Sequence, residues 1–338
     1  MKLLGAFSWS GGLSARRLIS LLLLAMPASA QLLTSTSRGI IVAQKNELRL
    51  HRGWTADGVE HPTAIVASEQ QVAVLDALNN EAVVADLASG RTTRIDTAET
   101  PIAAAFIGRE LYILARDARV LQRGSTRIPL AADPSFLRVM NGRLYVYSRA
   151  AGVIEEIDGD RVTRRVALAP HASDFEISGT IGFLVYPRDA RIRTVDLASM
   201  KATGELTVGA VPVDVAFAGG GTAITARILA VADPSAKRVW LTESTQSMTE
   251  AVARGFLRGV LGLGLFGGGA SQFPTGVDRV ETRGRHWIAY DSSSGTLYHF
   301  TRKSSVALAR GVAPGAYALT ERGVAWWNGM SVAEKQFQ

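Results

Sequence analysis

The sequence predicts an all-β protein of the β-propeller class, and three observations predict it. Short apolar runs rich in β-branched residues alternate with Asn, Asp, Gly and Ser turn signals along most of the 338 residues. The runs recur with a period of about 40 residues, the length of one propeller blade. A proline opens each repeat, and seven of the eleven prolines have this role: Pro62, Pro101, Pro134, Pro170, Pro212, Pro274 and Pro314.

The first thirty residues have the composition of a secretion signal. A basic pair, Arg16 and Arg17, precedes an apolar run over residues 18–26, and Ala28-Ser29-Ala30 has the small-x-small form of a signal-peptidase site. The run is shorter than the roughly 20 residues that span a bilayer. We therefore predict cleavage before Gln31, export to the periplasm or the extracellular space, and a single propeller domain over residues 31–338.

The composition excludes several kinds of chemistry and of binding partner. The chain has no cysteine, which excludes disulfides, thiol catalysis and cysteine metal sites. The formal net charge of +7 contains three positive charges within the predicted signal, and the remaining basic residues are interleaved with acidic ones. An exported chain without a basic stripe is not expected to bind nucleic acid.

Each repeat is predicted to contain a β-hairpin, formed by two apolar runs around a short polar turn. The proline is expected where the outer strand of one blade leads to the inner strand of the next, since that connector needs no backbone donor. The predicted hairpins cover residues 72–86, 111–121, 144–154, 183–195, 228–240, 287–298 and 324–332.

The two ends of the chain are expected to close the ring together. Strands are predicted over residues 39–44 and 48–51 without a leading proline, and the C-terminal repeat is one strand short. We therefore expect seven blades, with the N- and C-terminal segments sharing the seventh. A parallel β-helix is the alternative fold, but its coils are shorter and more regular in length.

One interval is too long for a blade. Pro212 and Pro274 lie 62 residues apart, and the excess falls on residues 247–272. Ser247 and Glu250 are spaced as a capping box, which predicts a helix, and an apolar glycine-rich run follows. This insertion is predicted to contact a partner or a membrane surface, or alternatively to fold back on the propeller. The apolar residues that would make the contact are Phe256, Leu257, Leu261, Leu263, Leu265 and Phe266.

The hairpins resemble those of the YVTN/NHL class of seven-bladed propellers. Residues 228–240 are similar to that family's pattern of strand, small polar turn and strand, and so are residues 72–86 with the following turn at 87–90. The repeats are degenerate: the defining tetrapeptide is absent, and so are the Trp-Asp dipeptides of WD40 propellers. The resemblance implies a closed ring with a central channel, which commonly serves as a binding platform in exported proteins.

Three aspartates are candidate site residues because each follows a predicted connector. Asp174, Asp214 and Asp278 would converge at the mouth of the channel, with His171 nearby as a ligand or base. Converging carboxylates suit a hard cation such as Ca²⁺. The alternative is that each aspartate accepts hydrogen bonds from its own turn, a common role of this residue.

These observations favour a non-enzymatic scaffold that binds a protein or a small molecule on its loop-rich face. No zinc-binding histidine motif or nucleophile elbow is present, and no cofactor is expected apart from a possible Ca²⁺. A first alternative is a hydrolase, lyase or lactonase-like enzyme with a metal at the channel mouth. A second is an envelope-assembly or membrane-associated component that docks through residues 247–272.

Overall fold

The computed structural model describes residues 31–207, 211–218, 227–244, 270–283, 286–300 and 304–337. These residues form eight antiparallel sheets arranged as the blades of a propeller, and each sheet uses its strands in chain order. The first four blades are β1 (Leu32–Thr36), β2 (Gly39–Gln44), β3 (Glu47–Leu50) and β4 (Thr55–Asp57); β5 (Ala64–Ala67), β6 (Gln71–Asp76), β7 (Glu81–Asp86) and β8 (Thr92–Asp96); β9 (Pro101–Ile107), β10 (Glu110–Ala115), β11 (Val120–Arg123) and β12 (Thr126–Pro129); and β13 (Pro134–Met140), β14 (Arg143–Ser148), β15 (Val153–Asp158) and β16 (Arg161–Ala167).

The other four blades continue the same order, and the eighth has three strands. They are β17 (Asp174–Ser178), β18 (Ile181–Tyr186), β19 (Arg191–Asp196) and β20 (Lys201–Thr207); β21 (Asp214–Ala218), β22 (Arg227–Asp233), β23 (Arg238–Ser244) and β24 (Ala270–Gln272); β25 (Arg279–Arg283), β26 (His286–Asp291), β27 (Thr296–Phe300) and β28 (Ser305–Ala309); and β29 (Tyr317–Leu319), β30 (Gly323–Trp327) and β31 (Val332–Gln336).

The first strand of every blade lies innermost. Each inner strand contacts the inner strands of the neighbouring blades, and β29 contacts β1, so the strands enclose a central channel. All inner strands begin on the same side of the ring because each blade repeats one antiparallel order. We call this side the connector face, since the blade-to-blade connectors and the turns between second and third strands lie there.

The sequence correctly predicts the propeller and the hairpins, but the blade count of seven is wrong. Each predicted hairpin is the second and third strand of a blade, as β6 and β7 illustrate, and each proline lies in a connector or at the start of an inner strand. A ring of eight blades in one chain has only seven connectors. The seven prolines therefore correspond to the seven connectors, and the first blade has no proline of this kind because no connector precedes it.

The predicted shared blade is also wrong. The N-terminal segment forms a complete four-stranded blade, and the C-terminal segment forms the three-stranded one. The ring is closed between them by contacts at the inner strands, where Leu33 N–H donates to Gly315 O over 2.9 Å and Ser35 Oγ donates to Leu319 O over 2.5 Å. Farther out, the Arg49 guanidinium lies over the Trp327 ring, 5.3 Å from its centroid.

The core lies between neighbouring blades. Alternate side chains of the middle strands face one neighbour or the other, so the clusters of buried residues combine two blades. One such cluster joins blades 4 and 5 through Tyr147, Phe175 and Leu184, all of which are fully buried. Apolar burial of this kind supplies most of the stabilisation in a fold without disulfides.

The predicted helix and the six apolar residues between Phe256 and Phe266 lie outside the described residues. The described residues contain one short 3₁₀ turn, Pro187–Asp189, and otherwise strands, turns and loops. The last three residues of the predicted insertion belong to the blade itself, because Ala270–Gln272 forms the outer strand β24, paired with β23. Among the described residues, no helix is long and apolar enough to cross a membrane.

Candidate functional site

The central channel opens on the connector face into a cavity of about 950 Å³, which we call the lumen cavity. Its wall combines inner-strand residues from seven of the eight blades. The charged and phenolic side chains in the wall are Arg138, Asp174, Glu176, Asp214, Asp278, Arg279, Glu281 and Tyr317.

The wall of the lumen cavity is chemically asymmetric. Blades 4 to 7 contribute all the charged side chains among the described lining residues, five carboxyl groups and two guanidinium groups. Blades 8, 1 and 2 contribute apolar and uncharged residues, including Leu33, Ile65 and Leu319. A ligand in the cavity would therefore meet an acidic wall on one side and an apolar wall on the other.

Asp174 and Asp214 form a hydrogen-bonded carboxyl pair on the acidic side. They are the first residues of neighbouring inner strands, β17 and β21, which places both at the connector face. Burial raises the pKa of Asp214 well above its usual range, and the negative charge of Asp174 and the hydrogen bond between the two carboxyls raise it further. The pair therefore retains a proton that an isolated aspartic acid would lose.

Each member of the pair also joins two blades. An Asp174 carboxylate oxygen accepts from Val215 N–H over 3.2 Å, and an Asp214 oxygen accepts from Val280 N–H over 2.7 Å. These bonds run from one inner strand to the next. They fix both carboxyl groups in place, so the repulsion between them cannot be relieved by rotation of the side chains.

Arg138 lies beside the pair and neutralises part of its charge. Its Nε donates to Glu176 Oε1 over 3.0 Å and its Nη2 donates to the same oxygen over 2.6 Å, while Asp174 Oδ1 lies 3.6 Å away. Burial works against the charge on Arg138, but attraction to Glu176 and Asp174 outweighs it and raises its pKa. Burial raises the pKa of Glu176 as well, although Arg138 opposes the change.

A second carboxyl–phenol pair lies farther round the acidic wall. Glu281 and Tyr317 share a hydrogen bond, and Arg279 lies near enough to favour the charged form of Glu281. Glu281 faces the open lumen, yet the surrounding ring of protein displaces enough water to raise the pKa of its carboxyl. The pKa of Tyr317 is raised for the same reason, and the charge of Glu281 adds to the shift.

The structure brings two of the three predicted aspartates together. Asp278 lines the same cavity, but its carboxylate accepts from Ser292 N–H over 3.0 Å and from the Ser292 hydroxyl. The position equivalent to Asp174 and Asp214, the first residue of the inner strand, is occupied in blade 7 by Arg279. Asp278 thus binds the turn that follows β26, 14 residues along the chain, rather than its own connector.

His171 lies in the connector before blade 5 and is exposed. Its backbone has a φ of 69° and its N–H donates to Arg149 O over 2.9 Å, but the residue does not line the lumen cavity. Within the described part of the chain, no three or more acidic or histidine side chains are grouped so that they could hold a metal ion.

The sequence reasoning missed Arg138, Glu176, Glu281 and Tyr317. Two of them were predictable from the sequence, because Glu176 and Glu281 lie two residues after Asp174 and Arg279, the first residues of their inner strands. Side chains two residues apart in a strand share a face. Arg138 and Tyr317 carry no such mark, since their blades offer no acidic residue at the equivalent first position.

Another set of aspartates ends the second strands and holds the turns of the connector face. Asp76, Asp233 and Asp291 are fully buried, and each accepts hydrogen bonds from the turn that follows it. Asp76 also accepts from the N–H of His61 in the preceding connector, over 2.8 Å. These carboxylates have their partners within the fold and shape the rim of the cavity without lining it.

The fold is similar to that of several solved propellers. BamB from Moraxella catarrhalis matches with a TM-score of 0.59 at 10% identity, over 92% of this chain and 99% of that one. Virginiamycin B lyase from Staphylococcus aureus matches with a TM-score of 0.57 at 12% identity, over 79% of this chain and 91% of that one. The Pan2 WD40 domain of Neurospora crassa matches with a TM-score of 0.53 at 10% identity, over 78% of this chain and 86% of that one.

At these identities the likeness supports the propeller fold alone. No family model matches the chain, and no curated protein matches it either. Membership of the YVTN/NHL class therefore stays a prediction. Of the three similar propellers, one is by name a lyase and another is a WD40 domain, so the fold by itself does not select a function.

Proposed function

We propose that this chain is an exported binding propeller that takes a small cationic ligand with an apolar part into its lumen cavity. The observation that carries the proposal is the Asp174–Asp214 pair at the connector face. Two fixed carboxyl groups share a proton there, opposite an apolar wall, in a cavity of about 950 Å³. Cavities of this size and mixed character are typical of small-molecule sites.

A cationic ligand is favoured because its charge would offset the repulsion between the Asp174 and Asp214 carboxyl groups. Burial raises the pKa of Asp214 and repulsion from the Asp174 carboxylate raises it further, and a positive group placed between the two carboxyl groups would offset that repulsion and expel the shared proton. The two arginines of the wall do not replace it, since Arg138 already binds Glu176 and Arg279 lies beside Glu281. The apolar half of the wall would accept the uncharged part of the ligand.

The test is calorimetric titration of the chain from Gln31 with alkyl and arylalkyl amines, against alcohols of the same carbon skeleton. We expect the amines to bind and the alcohols not to bind. Since binding releases a proton, the affinity should rise with pH, by at most about tenfold per pH unit. The measured enthalpy should also change with the ionisation enthalpy of the buffer.

Two variants with the same chemical change make the test specific to the pair. Asp214→Asn keeps the shape of the site but cannot become a carboxylate, so we expect weaker binding without proton release. Asp278→Asn, in the same cavity, should bind as the parent does, because that carboxylate is held by Ser292. Equal binding of amines and alcohols, or equal binding by the Asp214 variant, would refute the proposal.

The alternative of a hydrolase or lyase has one observation in its favour. A protonated carboxyl beside an ionised one, inside a cavity, is a common arrangement for general acid–base catalysis. The metal-dependent form is tested by the thermal midpoint with EDTA and then with Ca²⁺. A site filled to about 100 times its dissociation constant adds roughly 2.7 kcal/mol to the free energy of unfolding. A rise with Ca²⁺ that Asp214→Asn removes would favour the enzyme.

Docking of a protein partner or a membrane surface through residues 247–272 is a separate proposal. Ser244, the last residue described before this segment, ends the third strand β23 on the side of the ring opposite the connector face, since third strands run away from that face. Ala270, the next residue described, lies on the outermost strand of blade 6 and pairs with Trp240. A partner bound at this outer edge of the blade would not cover the lumen cavity. Deletion of residues 247–269 should abolish partner binding and leave amine binding unchanged.

Export is supported by the N-terminal sequence, with its apolar run and small-x-small site before Gln31. N-terminal sequencing of the protein recovered from cell fractions tests it. A protein that begins at Gln31 in the periplasmic or secreted fraction is the expected result. A cytoplasmic protein that still begins at Met1 would contradict it.

A further inference from the structure

Blade 8 differs from the other blades by one strand. In the described residues it contains β29, β30 and β31, whereas every other blade has four strands. Its outermost strand, β31, is thus equivalent to the third strand of the other blades, which is always covered by a fourth. The side chains of β31 are partly or fully exposed along its whole length.

With three strands in the described part of blade 8, one specific position of β31 is left partly exposed. In all seven four-stranded blades, the second residue of the third strand is 0% exposed, as in Leu121, Ile154, Ile192 and Leu297. The equivalent residue of β31 is Ala333, which is partly exposed. The difference follows from the fourth strand, because that strand places a residue directly opposite this position in each of the other blades.

The existing fourth strands show what chemistry fits the position. The residue opposite is a buried branched apolar one in three successive blades, where Ile128, Val166 and Leu206 are at most 9% exposed. The flanking residues of these strands are mostly polar and exposed. The strand β16, for example, alternates exposed with covered residues and has four exposed positions.

The outer edge of β31 presents backbone groups that could pair with a further strand. Phe337 donates its N–H to Arg322 O over 2.8 Å, towards β30. Because backbone groups alternate in direction along a strand, the N–H groups of Glu334 and Gln336 point away from β30. Both neighbouring blades fix the strand, since His51 lies 3.7 Å from the Glu334 carboxylate and the His299 ring stacks on Phe337 at 4.1 Å.

We propose that β31 binds an extended segment of a protein partner as an antiparallel fourth strand of blade 8. The segment places a branched apolar residue opposite Ala333, with polar residues on either side, and pairs its backbone with the outward N–H and C=O groups of β31. This surface is on the rim of the ring, and its use does not depend on a ligand in the lumen cavity.

A partner segment fits this edge better than a second copy of the chain. Two copies of β31 in full antiparallel overlap would set Glu334 opposite Glu334, and like charges directly opposite one another are unfavourable. The same overlap would set Ala333 opposite Lys335, so no branched apolar residue would cover the exposed position. Residues 1–30 lie outside the described residues and are taken to be removed by the predicted cleavage, so the test below compares the chain with and without them.

The test uses the chain from Gln31 and a peptide with the sequence of β16, Arg161–Ala167. Val166 of this peptide sequence is the residue that would lie opposite Ala333, as it lies opposite Ile154 in blade 4. Amide exchange of Glu334 and Gln336, followed by NMR, should be fast in the free protein. With saturating peptide it should slow by about tenfold or more, because each 1.4 kcal/mol of added stability is a factor of ten. A peptide with aspartate in place of that valine, or with N-methylated backbone groups, should give no protection.

Ala333→Asp should abolish the protection, and Ala307→Asp, on the exposed outer strand of blade 7, should leave it intact. The N-methylated peptide keeps the test valid if the Ala333 variant does not fold. Three results would overturn the proposal: protected β31 amides in the free monomer, a dimer in which those amides are protected, or equal protection by the N-methylated peptide. Protection that appears only in the chain that retains residues 1–30 would also overturn it.

Discussion

Glu156 joins blades 4 and 5, two of the four blades that form the acidic wall of the lumen cavity. Its carboxylate, 1% exposed, accepts hydrogen bonds from Arg164 Nε at 3.0 Å, Tyr145 Oη at 3.0 Å and Thr163 Oγ1 at 2.9 Å, and a further one from Arg164 Nη2. Arg164 continues into blade 5, where it donates to Ala198 O over 2.7 Å. Blade 4 is thereby attached to blade 5 away from the lumen.

The size of the effect follows from the pKa of Glu156. Burial alone would raise this pKa, but the hydrogen bonds from Arg164, Thr163 and Tyr145 outweigh burial and lower it from 4.5 to about 2. A difference of about 2.5 units between the unfolded and folded states corresponds to roughly 3.4 kcal/mol of stability at neutral pH. Because the pKa is lowered by folding, this stability is present above pH 4.5 and is lost as the pH falls towards 2.

Glu156→Gln removes the charge and keeps the size of the side chain, so we expect the free energy of unfolding at pH 7 to fall by about 3 kcal/mol. Unfolding of about 300 residues changes the entropy by roughly 0.6 kcal/mol/K, so the thermal midpoint should fall by about 5 °C. At pH 3 the difference should shrink to about 1.4 kcal/mol, because the parent protein has by then lost most of the same contribution.

Scanning calorimetry at pH 7 and pH 3 measures both values. The matched control is Glu110→Gln, whose carboxylate is 59% exposed and pairs with Arg123 at 3.1 Å. An exposed pair of this kind contributes less than about 1 kcal/mol. Equal losses in the two variants, or a loss at Glu156 that does not change with pH, would show that the buried network does not hold the blades together.

Three further predictions concern the site and its supporting turns. Asp214→Asn should raise the free energy of unfolding at pH 7 by roughly 0.5 to 2 kcal/mol, the usual gain when strain at a binding site is relieved. The gain should vanish near pH 3.5 in denaturant titrations, because a carboxyl whose pKa is raised by folding destabilises the folded state only above the pKa of its unfolded form, and the loss is complete once the pH exceeds the raised value. Asp76→Ala should cost about 3 kcal/mol, since three backbone N–H groups lose a buried acceptor, whereas Asp86→Ala, at an exposed turn, should cost clearly less. Gly152→Ala should lower the free energy of unfolding by more than about 2 kcal/mol, because the φ of Gly152 is +63° and a Cβ there would lie 2.7 Å from a backbone oxygen. Gly108→Ala should lower it by about 1 kcal/mol, because Gly108 has a similar φ of +60° but a Cβ there would meet nothing within 4 Å. Urea unfolding measures both values, and equal losses in the two variants would contradict the prediction.

The parts of the fold that the sequence predicts are local ones. The hairpins were recognisable because two apolar runs and a turn lie within about fifteen residues, and period-two alternation is read directly from the chain. The same reasoning located the connectors through their prolines. It failed at the first blade, which follows no connector, and so the count was one short.

The candidate site was predictable in part. Asp174 and Asp214 were found because neighbouring repeats place them at the start of inner strands, which meet around the channel. Asp278 was grouped with them on its distance from a proline, but a shift of one residue along the strand gives Arg279 the inward position instead. The spacing of repeats does not locate equivalent residues to within one position. Because strand side chains point to opposite faces at successive residues, an error of one position reverses the predicted direction.

By itself the sequence determined that the chain is an array of repeated β-hairpin units, joined through proline connectors and preceded by a segment with the composition of a signal. Only the tertiary structure decided that the described residues form eight blades, of which the last has three strands, and that Arg138 and Glu176 meet Asp174 and Asp214 in one acidic wall. The reason is physical. Hairpins depend on neighbours along the chain, while ring closure and the raised pKa of Asp214 depend on residues from different blades, whose distances no local pattern contains.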